Sequence, residues 1–130
     1  LKKNDILTTI KVEQSYESGF VVFNQKIREE FFVFFNNTLQ IYHTDGALIQ
    51  QKEFDCNIVK GIQEEDCILL SYENGTLASY DWYADKVVDE WENFGVARSM
   101  TLKYKNGSST KAVGLVCGFD NGDIGILRKA

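Results

Sequence analysis

The sequence predicts an all-β fold of antiparallel four-stranded units, on three observations. Short runs of β-branched and aromatic residues alternate with turn residues, proline is absent throughout, and one stretch of the chain recurs three times. The runs are Ile6 to Val12, Phe20 to Phe23, Phe31 to Phe35, Leu39 to Tyr42, Cys67 to Tyr72, Ala112 to Phe119 and Ile124 to Leu127. Each is short enough for a strand and too short for a typical helix.

Between the runs stand Asp45-Gly46, Asn74-Gly75, Asn106-Gly107 and Asn121-Gly122. A two-residue type I′ hairpin turn needs positive φ at both central positions, which Asn, Asp and Gly adopt at least cost. Each pair is therefore a predicted hairpin tip. Asn36-Asn37 can serve in the same way. One segment conflicts with the pattern: in Asp85 to Phe94, the residues Val87, Val88, Trp91 and Phe94 fall at helical spacing behind a potential N-cap aspartate. The repeat decides for a strand here, because it places a fourth strand at this position.

The repeat aligns Asn36-Asn37-Thr38-Leu39-Gln40-Ile41-Tyr42-His43 with Asn74-Gly75-Thr76-Leu77-Ala78-Ser79-Tyr80-Asp81 and with Asn121-Gly122-Asp123-Ile124-Gly125-Ile126-Leu127-Arg128, at intervals of 38 and 47 residues. A continuous apolar run precedes each turn, as expected of a strand covered on both faces. Opening strands are expected at Phe20 to Phe23, Ile58 to Ile62 and Arg98 to Tyr104, and outer strands at Ala47 to Phe54 and Val87 to Phe94. The outer strands carry a late aromatic, Phe54 and Trp91.

With this register the chain resembles the WD-repeat family of β-propellers, whose blades of about 40 to 45 residues carry a pattern like Asp-Gly-Thr-Ile-x-Ile-Trp-Asp. Gly75-Thr76-Leu77 with Tyr80-Asp81 is most similar, then Thr38 to Tyr42, then Asn121 to Ile126. Asn stands for the turn Asp, Tyr or Leu for the Trp, and no Gly-His pair precedes a blade, so the blades are degenerate. The resemblance implies a preceding strand and loop over 1–18, a first blade over 19–55, a second over 56–95 and a third, incomplete blade over 96–130. Three blades do not close a ring, so an incomplete segment of a larger propeller is expected: the chain is a fragment of a longer protein, or the missing blades come from a partner, or Ile6 to Val12 is the outer strand of a blade whose other strands lie outside this sequence.

The net charge of −5 and a sequence pI near 4.9 argue against nucleic acid as the main ligand and against anionic lipid. No apolar stretch is long enough for a spanning helix, so no membrane insertion is expected. Cys56, Cys67 and Cys117, odd in number and without C-x-x-C spacing, read as buried free thiols in a reducing, cytoplasmic setting. The sequons at Asn36, Asn74 and Asn106 coincide largely with turn chemistry. His43 is the lone histidine and has no nucleophile motif beside it; Asp120-Asn121-Gly122-Asp123 begins like a calcium loop, whose bidentate Glu would fall eleven positions after Asp120, past residue 130, and a hairpin turn is the expected reading. Glu64-Glu65-Asp66 and the carboxylates of Asp85, Asp89, Glu90 and Glu92 fit solvated loops and protected edges, as Lys103-Tyr104-Lys105 and Lys111 fit a solubilising strand surface. No catalytic, cofactor-binding or metal-binding residue is expected.

A propeller exposes loops and rim strands suited to binding other proteins. The function expected is a non-catalytic scaffold in an intracellular multiprotein assembly, with other proteins or peptides as partners and the loops Glu13 to Gly19 and Gln63 to Asp66 as candidate contacts. The rivals are a catalytic or ligand-binding propeller with polar residues converging from its innermost strands, and an independent small β-sandwich or barrel.

Overall fold

A computed structural model of the chain describes residues 19–92, 95–105 and 112–128, and these hold eleven strands and no helix. The strands are β1 (Gly19–Phe23), β2 (Glu30–Phe35), β3 (Thr38–His43), β4 (Leu48–Glu53), β5 (Ile58–Glu64), β6 (Cys67–Tyr72), β7 (Leu77–Asp81), β8 (Lys86–Trp91), β9 (Ala97–Tyr104), β10 (Ala112–Phe119) and β11 (Ile124–Arg128). They form three sheets in chain order, β1-β2-β3-β4, β5-β6-β7-β8 and β9-β10-β11, with every pairing antiparallel. The expected strand Ile6 to Val12, the loop Glu13 to Gly19 up to residue 18, and the turn Asn106-Gly107 lie outside the described residues.

The first strands of the sheets, β1, β5 and β9, neighbour one another in succession and form the inner edge of the stack. Between the first and second sheets lies a core built largely of aromatic rings. Phe32 and Phe34 of β2, Leu39 and Ile41 of β3, and Phe54 after β4 meet Ile68, Leu70 and Tyr72 of β6 and Ala78, Tyr80 and Trp82 of and after β7. Phe20 stacks on Phe34 at 4.7 Å between ring centres, while Phe32 meets Trp82 edge-on at 5.1 Å and Phe54 meets Tyr80 edge-on at 5.1 Å. Such pairs each add about 0.5–1.5 kcal/mol beyond the burial of their area. The second and third sheets share a smaller, mostly aliphatic core of Leu69, Leu77, Ala97, Leu115, Cys117 and Phe119.

The segment after Asp85 is a strand, β8, as the repeat requires and against its helical spacing. All six of its residues are exposed, so the spacing of Val87, Val88 and Trp91 does not reflect a buried face. The continuous burial expected of the second strand in each sheet holds for β6 from Ile68 to Tyr72, but Phe31 and Val33 of β2 are half-buried and Val113 of β10 is exposed. The reason is position: β6 belongs to the middle sheet, while β2 and β10 have no sheet against their other face among the described residues.

The turns depart from expectation in one respect. Asp45-Gly46, Asn74-Gly75 and Asn121-Gly122 are not two-residue type I′ tips, since only the glycines have positive φ, at 100°, 90° and 92°. Each belongs to a three-residue loop in which Gly N–H bonds back to the last strand carbonyl: Gly46 to His43 (2.9 Å), Gly75 to Tyr72 (3.0 Å) and Gly122 to Phe119 (3.1 Å). The Asn or Asp before each glycine works through its side chain instead. Its Oδ1 accepts from the amide two residues on, with Asp45 to Ala47 at 2.9 Å, Asn74 to Thr76 at 3.0 Å and Asn121 to Asp123 at 2.9 Å. Asn36-Asn37 is a two-residue tip, with positive φ at Asn36 alone.

Replacing Gly75 by Ala forces a Cβ into the left-handed region and is expected to cost about 1–2 kcal/mol. Asn74→Ala removes only the side-chain bond and is expected to cost about 0.5–1.5 kcal/mol. Denaturant unfolding of both variants checks the order; an Asn74→Ala loss exceeding that of Gly75→Ala would contradict this account of the turn.

Candidate protein-interaction surface

Between the outer parts of the second and third sheets the packing opens into a cleft of about 690 Å³, within the roughly 300–1,000 Å³ usual for ligand clefts. Its apolar lining comes from Leu69, Leu77, Val88, Trp91, Leu115 and Leu127. Around these stand five carboxylates, Glu64, Glu65, Asp66, Asp81 and Asp89, and a single base, Arg128.

Strand alternation explains the lining. Along β7, Leu77, Ser79 and Asp81 face the cleft while Ala78 and Tyr80 enter the aromatic core on the other side. Along β8 the cleft is lined by Asp89 and Trp91, which pair with Ser79 and Leu77, and by Val88, which stands unpaired at a register shift that interrupts the alternation. The two late aromatics predicted for the outer strands thus diverge: Phe54 is buried against Tyr72 and Tyr80, whereas Trp91 is 41% exposed over the cleft. Sequence reasoning singled out Glu64, Glu65 and Asp66 but had no means of joining them to Asp81, Asp89 and Trp91, because their proximity depends on how two sheets stack.

The acidic tip is held firmly. Gln63, which is buried, donates through Nε2 to Asn24 Oδ1 (3.0 Å) and to the Glu65 carbonyl (3.2 Å), and its Oε1 accepts from Gln25 N–H (2.7 Å). Asn24 Oδ1 also accepts from the amides of Lys26 and Ile27. Glu65 has a φ of 53°, an unusual value for a side chain of its size. Lys26 Nζ bonds Asp66 Oδ1 at 2.6 Å, and this contact raises the lysine pKa. The loop after β1 thereby fixes the tip, and Asp66 is partly neutralised.

A second polar link ties the first sheet to the second. Tyr80 donates from its hydroxyl to Asp85 Oδ1 at 2.7 Å, and Lys52 of β4 reaches the same oxygen at 3.0 Å. These two donors hold the Asp85 carboxyl below the usual carboxylate range, while burial and the Asp85 bond push the Tyr80 hydroxyl up. Burial also pushes Tyr72 up to about 12.

The remaining predicted features are dispersed. His43 ends β3, with Nδ1 3.2 Å from both the Asp45 amide and its carboxylate, and so belongs to a hairpin loop. Cys117 is buried, but Cys56 and Cys67 are only half-buried, contrary to the expectation that all three are core residues; both sit where strands meet loops, and Cys67 borders the cleft. Among the described residues no group of three or more His, Cys, Asp or Glu side chains could hold a metal ion, and no helix is long and apolar enough to cross a membrane. Of the three innermost strands, β1 is apolar in sequence (Gly-Phe-Val-Val-Phe), whereas β5 carries Lys60 and Gln63 and β9 carries Arg98, Ser99, Thr101 and Lys103.

No family model matches the chain, and no curated protein matches it. Solved structures do. The Saccharomyces cerevisiae protein Sqt1 superposes with a TM-score of 0.70 at 14% identity, over 95% of this chain and 34% of Sqt1. A second match is BBS1N, solved in complex with ARL6DN, with a TM-score of 0.61 at 12% identity over 77% of this chain and 31% of that one. The fold is that of a β-propeller, built from antiparallel blades. The chain spans about a third of the length of the structures it matches.

The Lys52–Asp85–Tyr80 link generates a pH dependence. A carboxyl whose pKa is lowered in the folded chain stabilises it above the unfolded value, and that contribution is lost as pH falls through the folded one. Stability attributable to Asp85 is therefore present above pH 3.8 and disappears below it. Asp85→Asn, which keeps a side chain tolerant of positive φ, is expected to flatten part of the acid limb of a plot of Tm against pH. An acid limb of unchanged slope would show that the link contributes nothing.

Proposed function

We propose that this chain supplies consecutive blades, 19–55, 56–95 and 96–130, of a larger, degenerate WD-type propeller that acts as a non-catalytic scaffold, binding other proteins within an intracellular assembly. The observation that carries the reading is the character of the two outermost faces. On the first sheet, Val21 (64% exposed), Phe23 (56%) and Leu48 (50%) point away from the second sheet; on the third, Ile124 (76%) and Ile126 (74%) point away from it too. Contiguous apolar surface of this kind is rare on soluble monomers and marks a place for a packing partner. In a propeller that partner is the next blade.

The scaffold role is supported by the capture of one structural neighbour, BBS1N, with a protein bound, and by an acidic cleft suited to peptide rather than to nucleic acid. The cytoplasmic setting rests on three unpaired thiols in a chain of this size. Fold alone does not fix function, so the reading stands on the surfaces.

Sedimentation velocity of the full chain over a range of concentrations tests it. Self-association is expected, and it is expected to weaken in Val21→Lys and in Ile126→Lys, with far-UV circular dichroism unchanged. A monodisperse monomer with one sharp thermal transition would overturn the reading and favour an independent β-domain.

A further inference from the structure

The outer strands of the two four-stranded sheets share an irregularity. In β4, Leu48 pairs with Tyr42 and Gln50 with Ile41, so Ile49 is an extra residue; in β8, Val87 pairs with Tyr80 and Asp89 with Ser79, so Val88 is extra. Tyr42 and Tyr80 are equivalent in the repeat, and the two bulges therefore coincide. A bulge interrupts the ladder of an outer strand and twists its edge away from further pairing. What β4 and β8 offer a partner is side chains rather than backbone.

Along the seam between these strands apolar side chains stay exposed although both sheets have their four strands and are stacked. Gln50 bonds the Trp82 carbonyl at 3.3 Å, which sets the neighbouring Ile49 (51% exposed) next to Tyr83 (65%). Val87 (40%) pairs with Tyr80 and so lies on the face of β8 turned to the first sheet. A blade added at either end of the stack would leave this seam as it is. Tyr83 is held rigidly: its amide and that of Ala84 donate to Asp81 Oδ1 at 3.0 and 3.1 Å, and its ring centre lies 5.4 Å from that of buried Trp82. A fixed, exposed tyrosine loses little freedom on binding, which suits it as an anchor. The charges on the seam are uneven. Asp85 is satisfied by Lys52 and Tyr80, whereas Glu90, which pairs with Ala78 and shares the face of Val87, is exposed and its carboxylate has no ion pair among the described residues.

We infer that this seam takes a basic amphipathic helix of a partner protein, its apolar side chains on Ile49, Tyr83 and Val87 and a Lys or Arg on Glu90. The inference rests on the scaffold reading above and names a partner for one surface of the scaffold. The bulges disfavour an added strand, and stacked sheets about 10 Å apart match a helix about 10–12 Å wide with its side chains. From Val87 to Glu90 the strand advances about 10 Å, the rise of about seven helical residues, so the cation stands two turns from an apolar anchor. The net charge of −5 favours the same sign of partner.

Three peptides of about 15–20 residues, long enough for a helix, serve as probes on the full chain below the onset of self-association. They are a leucine–lysine amphipathic helix, a leucine–glutamate one, and alternating valine and lysine as a strand. The leucine–lysine helix is expected to bind best. Tyr83→Ser is expected to weaken it about tenfold and Tyr83→Phe to leave it unchanged; Glu90→Lys is expected to reverse the preference between the lysine and glutamate helices, with circular dichroism and Tm unaltered in all three variants. Binding indifferent to Tyr83→Ser and Glu90→Lys would mean diffuse attraction to an acidic chain and would overturn the inference. So would tighter binding of the strand peptide, or a loss of binding in Val21→Lys or Ile126→Lys, which would place the peptide on an end face. Self-association of the chain without helix binding would sink this inference and leave the scaffold reading standing; helix binding at the seam of a strictly monomeric chain would do the reverse.

Discussion

The middle sheet has to satisfy two neighbours at once, and most of the structure follows from that demand. Along β6, Ile68, Leu70 and Tyr72 enter the aromatic core shared with the first sheet, while Leu69 packs toward the third sheet and Ser71 donates to the Ala97 carbonyl at 2.7 Å on that side. Because successive side chains of a strand alternate between faces, a strand covered on both sides has no position left for a solvent-facing residue. The same alternation runs through Leu77, Ala78, Ser79 and Tyr80 of β7. Neither core is complete within one sheet. Burial of roughly 25 cal/mol per Å² of apolar surface is therefore available only when sheets stack, as in other repeat architectures.

Stacking by apolar contact alone would leave the sheets free to slide, since the hydrophobic effect has no preferred direction. Directional contacts fix the stack at two levels. At the rim, Asp85 receives both Tyr80 from its own sheet and Lys52 from the neighbouring one. At the loops, Gln63 joins the acidic hairpin to Asn24 and Gln25 of the first sheet. The second of these also orients charge, because Glu65 and Asp66 are carried by the hairpin that Gln63 anchors.

The strand order was legible in the sequence to within a residue or two for most elements, because repeat and turn residues report on local chemistry. Cys67–Tyr72 and Ala112–Phe119 coincide with their expected limits. Periodicity misled at β8 for a physical reason: it records which residues are buried, and β8 buries none, so its apolar spacing was uninformative and only the register of the repeat identified it. Asp45-Gly46, Asn74-Gly75 and Asn121-Gly122 correctly marked hairpins and wrongly suggested their type. In these loops the Asn side chain captures the amide two residues on, an alternative use of the same dipeptide that adds a residue to the loop. The cleft was only half legible. Its acidic tip could be read from three consecutive carboxylates, but the meeting of Trp91 with Leu127 depends on inter-sheet packing that no local pattern encodes.

The two gaps between sheets are filled differently. Where the resembled pattern carries Trp, this chain has Tyr42, Tyr80 and Leu127. Each tyrosine finds a hydrogen-bond partner within its own sheet or the turn beside it, Tyr42 with Gln40 and Tyr80 with Asp85, so its hydroxyl is satisfied. Tyr80, with Trp82 and Phe54, then fills the space between the first two sheets. The third repeat brings the smaller Leu127 to the matching position, and the space between the second and third sheets stays open beside it. The cleft lies beside this smaller side chain and next to the outer edge of β11, beside which no fourth strand stands in the described residues. Its acidic rim then follows from the polar alternation of β7 and β8 and from the anchored hairpin at Glu65, none of which the packing of the other two sheets would have left accessible.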